Sequence, residues 1–197
     1  MYDWRQMTIQ ERQEVLRERK LHRRPWHRPP HSNIDGVHAY LLSAACYEHS
    51  PIVGKDVNRM GQWEDELLGT CEGLSQVHAW CVLPNHYHLL VQTERLDKMR
   101  EQLGRLHGRS SHRWNGEDQQ RGRRVWYGGT DRLIRSDRHF WTSMNYVHNN
   151  PVHHGLVDRW QKWPFSSAAQ FMERIGRETA IEIWREYPLL DYGNEWD

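Results

Sequence analysis

The spacing of apolar residues predicts a sheet whose strands alternate with helices. Residues 37–46, 75–84 and 86–93 are short runs of apolar and small residues, typical of buried strands, although 37–46 also suits a short helix. Residues 54–74 and 95–114 place apolar side chains at intervals of three and four, which is typical of amphipathic helices. The pattern therefore predicts at least three strands and two helices in the first two thirds of the chain.

Two more elements follow these. Residues 125–135 contain Gly-Gly between two short β-like runs, which predicts a hairpin. Residues 136–150 begin with a serine suited to an N-cap and stop before Pro151, as helices do. The order β-α-β-β-α-β-α predicts the α+β class, with a ferredoxin-like or RRM-like antiparallel sheet of four or five strands and helices on one face.

Composition changes along the chain suggest three regions. Three prolines in "RRPWHRPPH" predict a linker, so we expect an N-terminal helical and Pro-rich extension over 1–32, a domain over 33–172, and an acidic C-terminal extension over 173–197. The last region either folds over a basic surface or packs as a lid. Three cysteines without CxxC spacing, and no apolar run near ~20 residues, predict a soluble cytoplasmic protein.

The net charge of +1 conceals strong segregation. Residues 95–138 carry twelve Arg or Lys against six acidic residues, whereas 173–197 carry three Arg against seven acidic residues. Basic blocks of this kind form either a surface that binds polyanions or ordinary solvated helix faces. Charge alone does not choose between these two interpretations.

Two histidines interrupt the apolar run "VLPNHYHLLV". In a strand, residues i and i+2 project from the same face, so His86 and His88 would lie side by side and suit one metal ion. A divalent cation requires a third protein ligand, and buried core histidines are the alternative.

A second group of polar residues lies in "MNYVHNNPVHHGLV". Tyr146 and Asn150 are four residues apart and share one face of a helix. A tyrosine hydroxyl can attack phosphorus when a metal polarises the phosphate, and an amide oxygen is a suitable ligand for a hard cation. The alternative is a tyrosine packed in the core and an asparagine that ends the helix.

Together these segments resemble a known family. "VLPNHYHLLV" is similar to the HUH motif (His, hydrophobic residue, His), and "YVHNNPVHHGLV" followed by "WPFSS" is similar to the tyrosine helix of single-tyrosine HUH transposases. "TDRLIRSD" also matches the stretch that precedes that helix. In order and spacing, these motifs resemble the REP-associated tyrosine transposases, the branch linked to repeated extragenic palindromes. The resemblance covers residues 35–170, approximately.

The resemblance implies a fold, a reaction and a cofactor. The fold is that of HUH endonucleases, with the HUH strand central in a ferredoxin-like sheet. Tyr146 would nick single-stranded DNA at hairpin sites and transfer the strand through a 5'-phosphotyrosine intermediate. His86, His88 and Asn150 would bind Mg2+ or Mn2+. The family's Gly-Thr-x-Tyr element is replaced here by "GVHAY" (36–40), with Val37 in the place of the threonine.

The basic segment that follows the HUH strand supplies the expected DNA contacts. Arginine binds phosphates, and aromatic rings stack on unpaired bases. The candidates are Arg105, Arg109, Arg113, Trp114, Arg121, Arg123, Arg124 and Trp126. A monomer suffices for nicking, and a homodimer would help transposition. Two alternatives remain: a non-catalytic module that binds structured DNA or RNA on an RRM-like sheet, and a small zinc protein with a further His or Cys ligand.

Overall fold

The computed structural model describes residues 35–193 and five isolated positions between 8 and 17. The predicted extension over 1–32 lies outside the described residues, apart from those five positions. In the described part, the predicted α+β class is confirmed, with one antiparallel sheet and helices packed on it. None of the described helices is long and apolar enough to span a membrane.

The sheet has four strands in the order β2-β3-β1-β4. They are β1 (His38–Cys46), β2 (Gln76–Val82), β3 (His86–Thr93) and β4 (Trp126–Leu133). The predicted HUH strand is β3, and it is central because it pairs with both β1 and β2. The predicted hairpin over 125–135 is wrong. Gly128 and Gly129 pair with β1 like their neighbours, so the segment is one continuous edge strand instead of two strands and a turn.

Between residues 35 and 193, five α-helices accompany the sheet. They are α1 (Val57–Cys71), α2 (Leu96–Glu117), α3 (Asp137–His153), α4 (Ala168–Ile175) and α5 (Arg177–Glu186). Ser136 caps α3 as predicted, since its side chain accepts a hydrogen bond from the backbone N–H of His139. The predicted end of α3 before Pro151 is wrong. The helix continues to His153, and the His154 N–H still donates to the Asn150 carbonyl on the far side of the proline.

The two faces of the sheet carry different side chains. One face holds the main apolar core, formed by alternate residues of the strands against α1 and α2. On β3 this face is built by Tyr87, Leu89 and Val91. The intervening residues, including His86 and His88, project to the opposite face, where α3 packs against β2 and β3. The sequence predicted helices on one face of the sheet. In the structure, α1 and α2 lie on one face, whereas α3 lies on the other.

A cluster of aromatic rings forms the centre of that core. Trp63 of α1 contacts Trp114 and Trp126, with ring centroids 5.3 Å and 4.9 Å away. Such ring pairs contribute about 0.5–1.5 kcal/mol each beyond the area they bury. Trp114 is 0% exposed and Trp126 is 8% exposed. The expectation that these two tryptophans stack on DNA bases is therefore wrong in this structure, because a base cannot reach their faces.

Candidate active site

The two histidines of the HUH strand lie side by side under α3. Their ring centroids are 5.0 Å apart, and both side chains are buried. The register of the sheet places Ser43 of β1 opposite His88 and Ala45 opposite His86. These neighbours are small, so the two imidazoles lie in a space that larger side chains of β1 would fill.

The tautomer of His86 follows from its neighbour Asn85. The Asn85 amide nitrogen donates to the His49 carbonyl at 3.2 Å, so its oxygen faces His86. That oxygen lies 2.7 Å from His86 Nδ1 and accepts the Nδ1 proton. In neutral His86 the Nε2 atom therefore carries the lone pair. A hydrogen bond that fixes the second ring nitrogen in this way is typical of histidines that bind metals.

His88 is oriented in the same manner. Its Nδ1 atom lies 2.6 Å from the Ser43 hydroxyl. With Nδ1 occupied, the Nε2 atom faces α3, where the Tyr146 hydroxyl lies 3.5 Å away. This separation is long for a hydrogen bond, but it orients the hydroxyl towards the histidine pair.

Tyr146 and Asn150 are one helical turn apart on α3, as predicted. Asn150 Oδ1 lies 3.1 Å from His86 Nε2, and both groups are buried. Because neutral His86 offers a lone pair at Nε2, two acceptor atoms face each other across this distance. A proton on His86 Nε2, or a cation that binds both atoms, removes the repulsion between their lone pairs.

The donor set suits Mg2+ or Mn2+. Two ligands at about 2.1 Å from an octahedral cation, at a right angle to each other, lie about 3.0 Å apart. The separation of His86 Nε2 and Asn150 Oδ1 is close to that value. Among the described residues, no group of three or more His, Cys, Asp or Glu side chains could hold a metal ion. An amide oxygen as third ligand agrees better with a hard cation than with the zinc alternative.

The chain's own C-terminal segment covers Tyr146. Residues 187–193 follow α5 and pack on α3, and Tyr146 is only 4% exposed. The Tyr192 ring lies 5.8 Å from the Tyr146 ring, and Gly193 contacts Tyr146 from above. The cavity left beside Tyr146 has a volume of about 60 Å³. Pockets that enclose a small-molecule ligand usually have about 300–1,000 Å³, so this cavity is too small for a nucleotide.

A ring of hydrogen bonds holds this segment in place. His139 Nδ1 accepts from the backbone N–H of Arg135, so its Nε2–H donates to the Tyr192 hydroxyl at 3.0 Å. The Tyr192 hydroxyl in turn donates to the Ser143 hydroxyl, which donates to the His139 carbonyl. Burial raises the pKa of Tyr192, against the lowering effect of the Ser143 bond and of Arg132. Every proton in this network has an acceptor.

Arg132 of β4 projects towards the same side. It pairs with Leu41, two residues from Ser43, and therefore shares the face of His88. Burial lowers the pKa of Arg132, while the neighbouring hydroxyls of Tyr192 and Tyr146 oppose that shift. A positive charge thus lies close to the tyrosine that would attack a phosphate.

His148 of α3 takes no part in this arrangement. It is fully buried, and its Nε2 atom lies 2.8 Å from the Ser167 hydroxyl. Burial lowers the pKa of His148 to about 3, aided by the charge of Arg174. Its ring points away from Tyr146, as the spacing of two residues on a helix predicts.

The predicted basic contacts separate into two groups. Arg113 forms a bidentate ion pair with Glu66 at 2.6 Å and 2.9 Å, and Arg123 pairs with Asp118 at 2.7 Å. Both arginines are therefore engaged in holding α2 and the loop after it. The other four are exposed: Arg105, Arg109, Arg121 and Arg124.

The position of these arginines decides which of them could contact DNA bound at the histidine pair. Arg105, Arg109 and Arg113 belong to α2, which packs on the face of the sheet opposite to His86 and His88. Arg124 lies in the segment that leads into β4, beside the end of the sheet where β3 begins. Of the six, Arg124 is the one that the sheet register places near the HUH strand.

Several residues of the site were not identified from the sequence. Asn85 and Ser43 orient the two histidines, and Tyr192 and Gly193 cover the tyrosine. Asn85 directly precedes the HUH motif, which is a local signal. Ser43 and Gly193 depend on long-range packing and leave no recognisable pattern, whereas Tyr192 belongs to the C-terminal region that was expected either to fold over a basic surface or to pack as a lid.

Comparison with known proteins identifies the family. No family model matches the chain. A relative from Haemophilus influenzae, whose name assigns it to the REP-associated tyrosine transposases, is 31% identical over 141 residues, covering 61% of this chain and 73% of the relative. The chain belongs to the REP-associated tyrosine transposases. The resemblance of its motifs to that family is thereby confirmed.

A solved structure supports the fold assignment of this REP-associated transposase. The neighbour is a REP-associated tyrosine transposase bound to a REP hairpin, with a TM-score of 0.53 and 17% identity. The match covers 83% of this chain and 89% of the other. At this identity the likeness establishes the fold alone, which is the predicted HUH architecture.

Proposed function

We propose that the protein nicks single-stranded DNA at hairpin sites and transfers the strand, in a metal-dependent reaction through a 5'-phosphotyrosine on Tyr146. The observation that carries the proposal is the position of the Tyr146 hydroxyl, 3.5 Å from His88 Nε2 and beside the pair formed by His86 and Asn150. Membership of the REP-associated tyrosine transposases supports the reaction class. The hairpin bound by the structural neighbour supports the choice of substrate.

The proposed reaction conserves the energy of the phosphodiester bond. The Tyr146 oxygen attacks phosphorus, a bond to that oxygen forms, and the bond from phosphorus to the 3'-oxygen breaks. The tyrosine loses its proton, and the departing oxygen gains one to become a 3'-hydroxyl. The 5'-phosphate stays esterified to the tyrosine. A later attack by a 3'-hydroxyl reverses these bond changes, so strands rejoin without ATP.

His86, His88 and Asn150 would hold Mg2+ or Mn2+ through Nε2, Nε2 and Oδ1. The bound ion would supply positive charge to the phosphate oxygens and to the departing 3'-oxygen. The chain's own contribution is positioning. Asn85 and Ser43 fix the two imidazoles, and the rigid α3 holds Tyr146 one turn from Asn150. Arg132 adds a positive charge close to the attacking oxygen.

DNA can reach Tyr146 only after residues 187–193 move. The hydroxyl lies beneath Tyr192 and Gly193, and the adjoining cavity is smaller than a nucleotide. The proposed reaction therefore includes an opening step before the attack.

The test is formation of a covalent adduct between protein and DNA. The protein is incubated with Mn2+ and a hairpin oligonucleotide that carries labelled single-stranded flanks, taken from repeats beside its own gene, and separated under denaturing conditions. We expect an adduct with the natural protein, none with Tyr146→Phe, and an undiminished adduct with Tyr87→Phe, which removes a hydroxyl on the opposite face of the sheet. An adduct that persists in Tyr146→Phe contradicts the assignment.

A non-catalytic module that binds hairpin DNA is the second candidate. The observation in its favour is the burial of Tyr146, which is 4% exposed beneath the C-terminal segment. It predicts hairpin binding that is insensitive to chelators and no adduct with any metal, even when the segment is displaced. The variant that displaces the segment, described in the Discussion, therefore distinguishes the two.

The oligomeric state remains a prediction. One nucleophilic tyrosine per chain suffices to nick and rejoin a single strand. Moving a DNA segment requires cuts at both of its ends, which is why a homodimer would help. Sedimentation of the protein with and without the hairpin tests this expectation.

A further inference from the structure

Two tyrosines and an arginine form a surface cluster beside the HUH strand. The Tyr47 and Tyr127 rings are stacked, with centroids 6.4 Å apart and planes inclined by 30°. The Arg124 guanidinium carbon lies 4.8 Å from the Tyr47 centroid and 5.3 Å from the Tyr127 centroid. We propose that Tyr47, Arg124 and Tyr127 bind an unpaired nucleotide of the DNA flank, by stacking on its base and pairing with its phosphate. This inference rests on the proposed function and names a substrate subsite for it.

The sheet register places this cluster at the end where the HUH motif begins. The Cys46 N–H donates to the Asn85 carbonyl, and the next residue, Tyr47, donates to the Val125 carbonyl. Asn85 adjoins His86, and Val125 is two residues before Tyr127. The three segments lie side by side in the order β3, β1, β4, with neighbouring strands about 4.8 Å apart. The cluster therefore lies one to two strand spacings, about 5–10 Å, across the sheet from the strand that carries the histidines.

The cluster is ordered without a ligand. Arg124 donates to the Trp126 carbonyl at 3.2 Å and to the Tyr127 carbonyl at 2.9 Å, which fixes its plane against the rings. Two consecutive residues after Tyr47 adopt left-handed conformations, Glu48 with φ 55° and His49 with φ 51°. Such conformations are costly outside glycine and persist only where the surrounding structure holds them, so the backbone after Tyr47 is fixed. Side chains that are already ordered lose little entropy on binding.

The surroundings suit a polynucleotide. Tyr127 is 54% exposed, and the other large exposed apolar side chains of the described residues are aliphatic: Val37, Val57, Leu156 and Leu190. Gly128 and Gly129 follow Tyr127 on the edge strand, so no side chain hinders a phosphate backbone there. An aromatic face accepts any base, and arginine binds phosphate through its planar fork. An unpaired nucleotide satisfies all of these features.

The test measures stacking directly. Hairpins with single-stranded flanks carry the fluorescent base 2-aminopurine at one flank position at a time, and stacking on a ring changes its emission. We expect the natural protein to quench at least one position, and Tyr127→Ala to abolish that quenching and weaken binding of the flanked hairpin about 5- to 150-fold. Tyr127→Phe keeps the ring and should bind normally. Leu156→Ala is a matched control, since Leu156 is 39% exposed and lies outside the cluster.

Hairpins without flanks separate this subsite from general binding. Their affinity should be equal for the natural protein and for Tyr127→Ala, which also shows that the variant is folded. Equal affinity of both proteins for the flanked hairpin overturns the inference, and so does an equal loss on hairpins without flanks. If Tyr127→Ala loses the quenching but the natural protein never forms an adduct, only the proposed function is overturned. Adduct formation with unaltered flank binding in Tyr127→Ala overturns this inference alone.

Discussion

Gly193→Ala should expose the nucleophile. Gly193 lies on the Tyr146 ring, and a Cβ atom built there lies 2.6 Å from Tyr146 Cδ2 and closer still to Cε2. Real Cβ atoms do not approach a ring carbon so closely, so either the ring or the segment must move. The ring is held by the packing of α3 on the sheet, whereas residues 187–192 are only half-buried or exposed. We therefore expect the segment to lift.

The magnitude follows from two costs. Gly193 has φ 89°, and an alanine in a left-handed conformation costs about 1–2 kcal/mol. That cost alone shifts the equilibrium between covered and uncovered Tyr146 about 5- to 30-fold. The steric conflict with the ring adds to it. If uncovering limits the reaction, the initial rate of adduct formation should rise by at least that factor, until uncovered molecules predominate.

The assay is the adduct reaction with Mn2+ and the flanked hairpin, followed over time. Gly73→Ala is the matched control, because Gly73 has φ 67° and a Cβ atom added to it would have no neighbouring atom within 4 Å. It carries similar backbone strain without touching Tyr146, and its rate should equal that of the natural protein. Tyr192→Phe, which removes the hydroxyl shared with Ser143 and His139, should raise the rate by a smaller factor.

One result would refute this reasoning. Hydrogen exchange can show whether residues 187–193 have become less protected in Gly193→Ala. A segment that is less protected, together with an unchanged rate of adduct formation, means that covering Tyr146 does not limit the reaction. A segment displaced in this way without any adduct at all would favour the non-catalytic module instead.

Two further predictions concern the metal and the pH. His86→Ala should retain hairpin binding but lose both the adduct and the rise in Tm that Mn2+ produces in the natural protein; an undiminished Mn2+-dependent rise would place the ion elsewhere. Burial lowers the pKa of His107 to about 4, so the unfolded chain takes up a proton below about pH 6.5 that the folded chain does not. As the pH falls from 6 to 4, His107 therefore lowers the free energy of unfolding by about 1.4 kcal/mol per pH unit. Urea unfolding should show a weaker pH dependence in His107→Gln than in the natural protein. An identical dependence would mean that folding does not lower the pKa of His107.

Much of the fold could be predicted because its signals are local. Alternation and helical spacing predicted β1, β2, β3, α1 and α2 to within a few residues. The two errors of local structure have the same origin. The Gly-Gly pair resembles a turn and Pro151 resembles a helix end, yet tertiary pairing with β1 and packing on the sheet decide both.

The tryptophans show where sequence reasoning lacked information. Trp114 lies in a basic stretch, which suggested a DNA contact, but it also continues the buried stripe of Leu103, Leu106 and Ser110 on α2. The helical spacing was therefore a usable signal that favoured the core. No comparable signal existed for Arg113, whose partner Glu66 is 47 residues away. Ion pairs of that kind depend on how α1 and α2 pack.

The residues of the site were predicted more fully than the segment that covers Tyr146, because the side chains of β3 alternate between the two faces of the sheet. Tyr87, Leu89 and Val91 are buried against α1 and α2, whereas His86 and His88 face α3. A shift of one residue in register would drive both imidazoles into the apolar core and place three large apolar side chains under α3, at a cost of several kcal/mol. The core on one face thus fixes the position of the chemistry on the other. A pattern with a period of two encodes both faces at once, which is why a short stretch of sequence sufficed to predict the histidine pair.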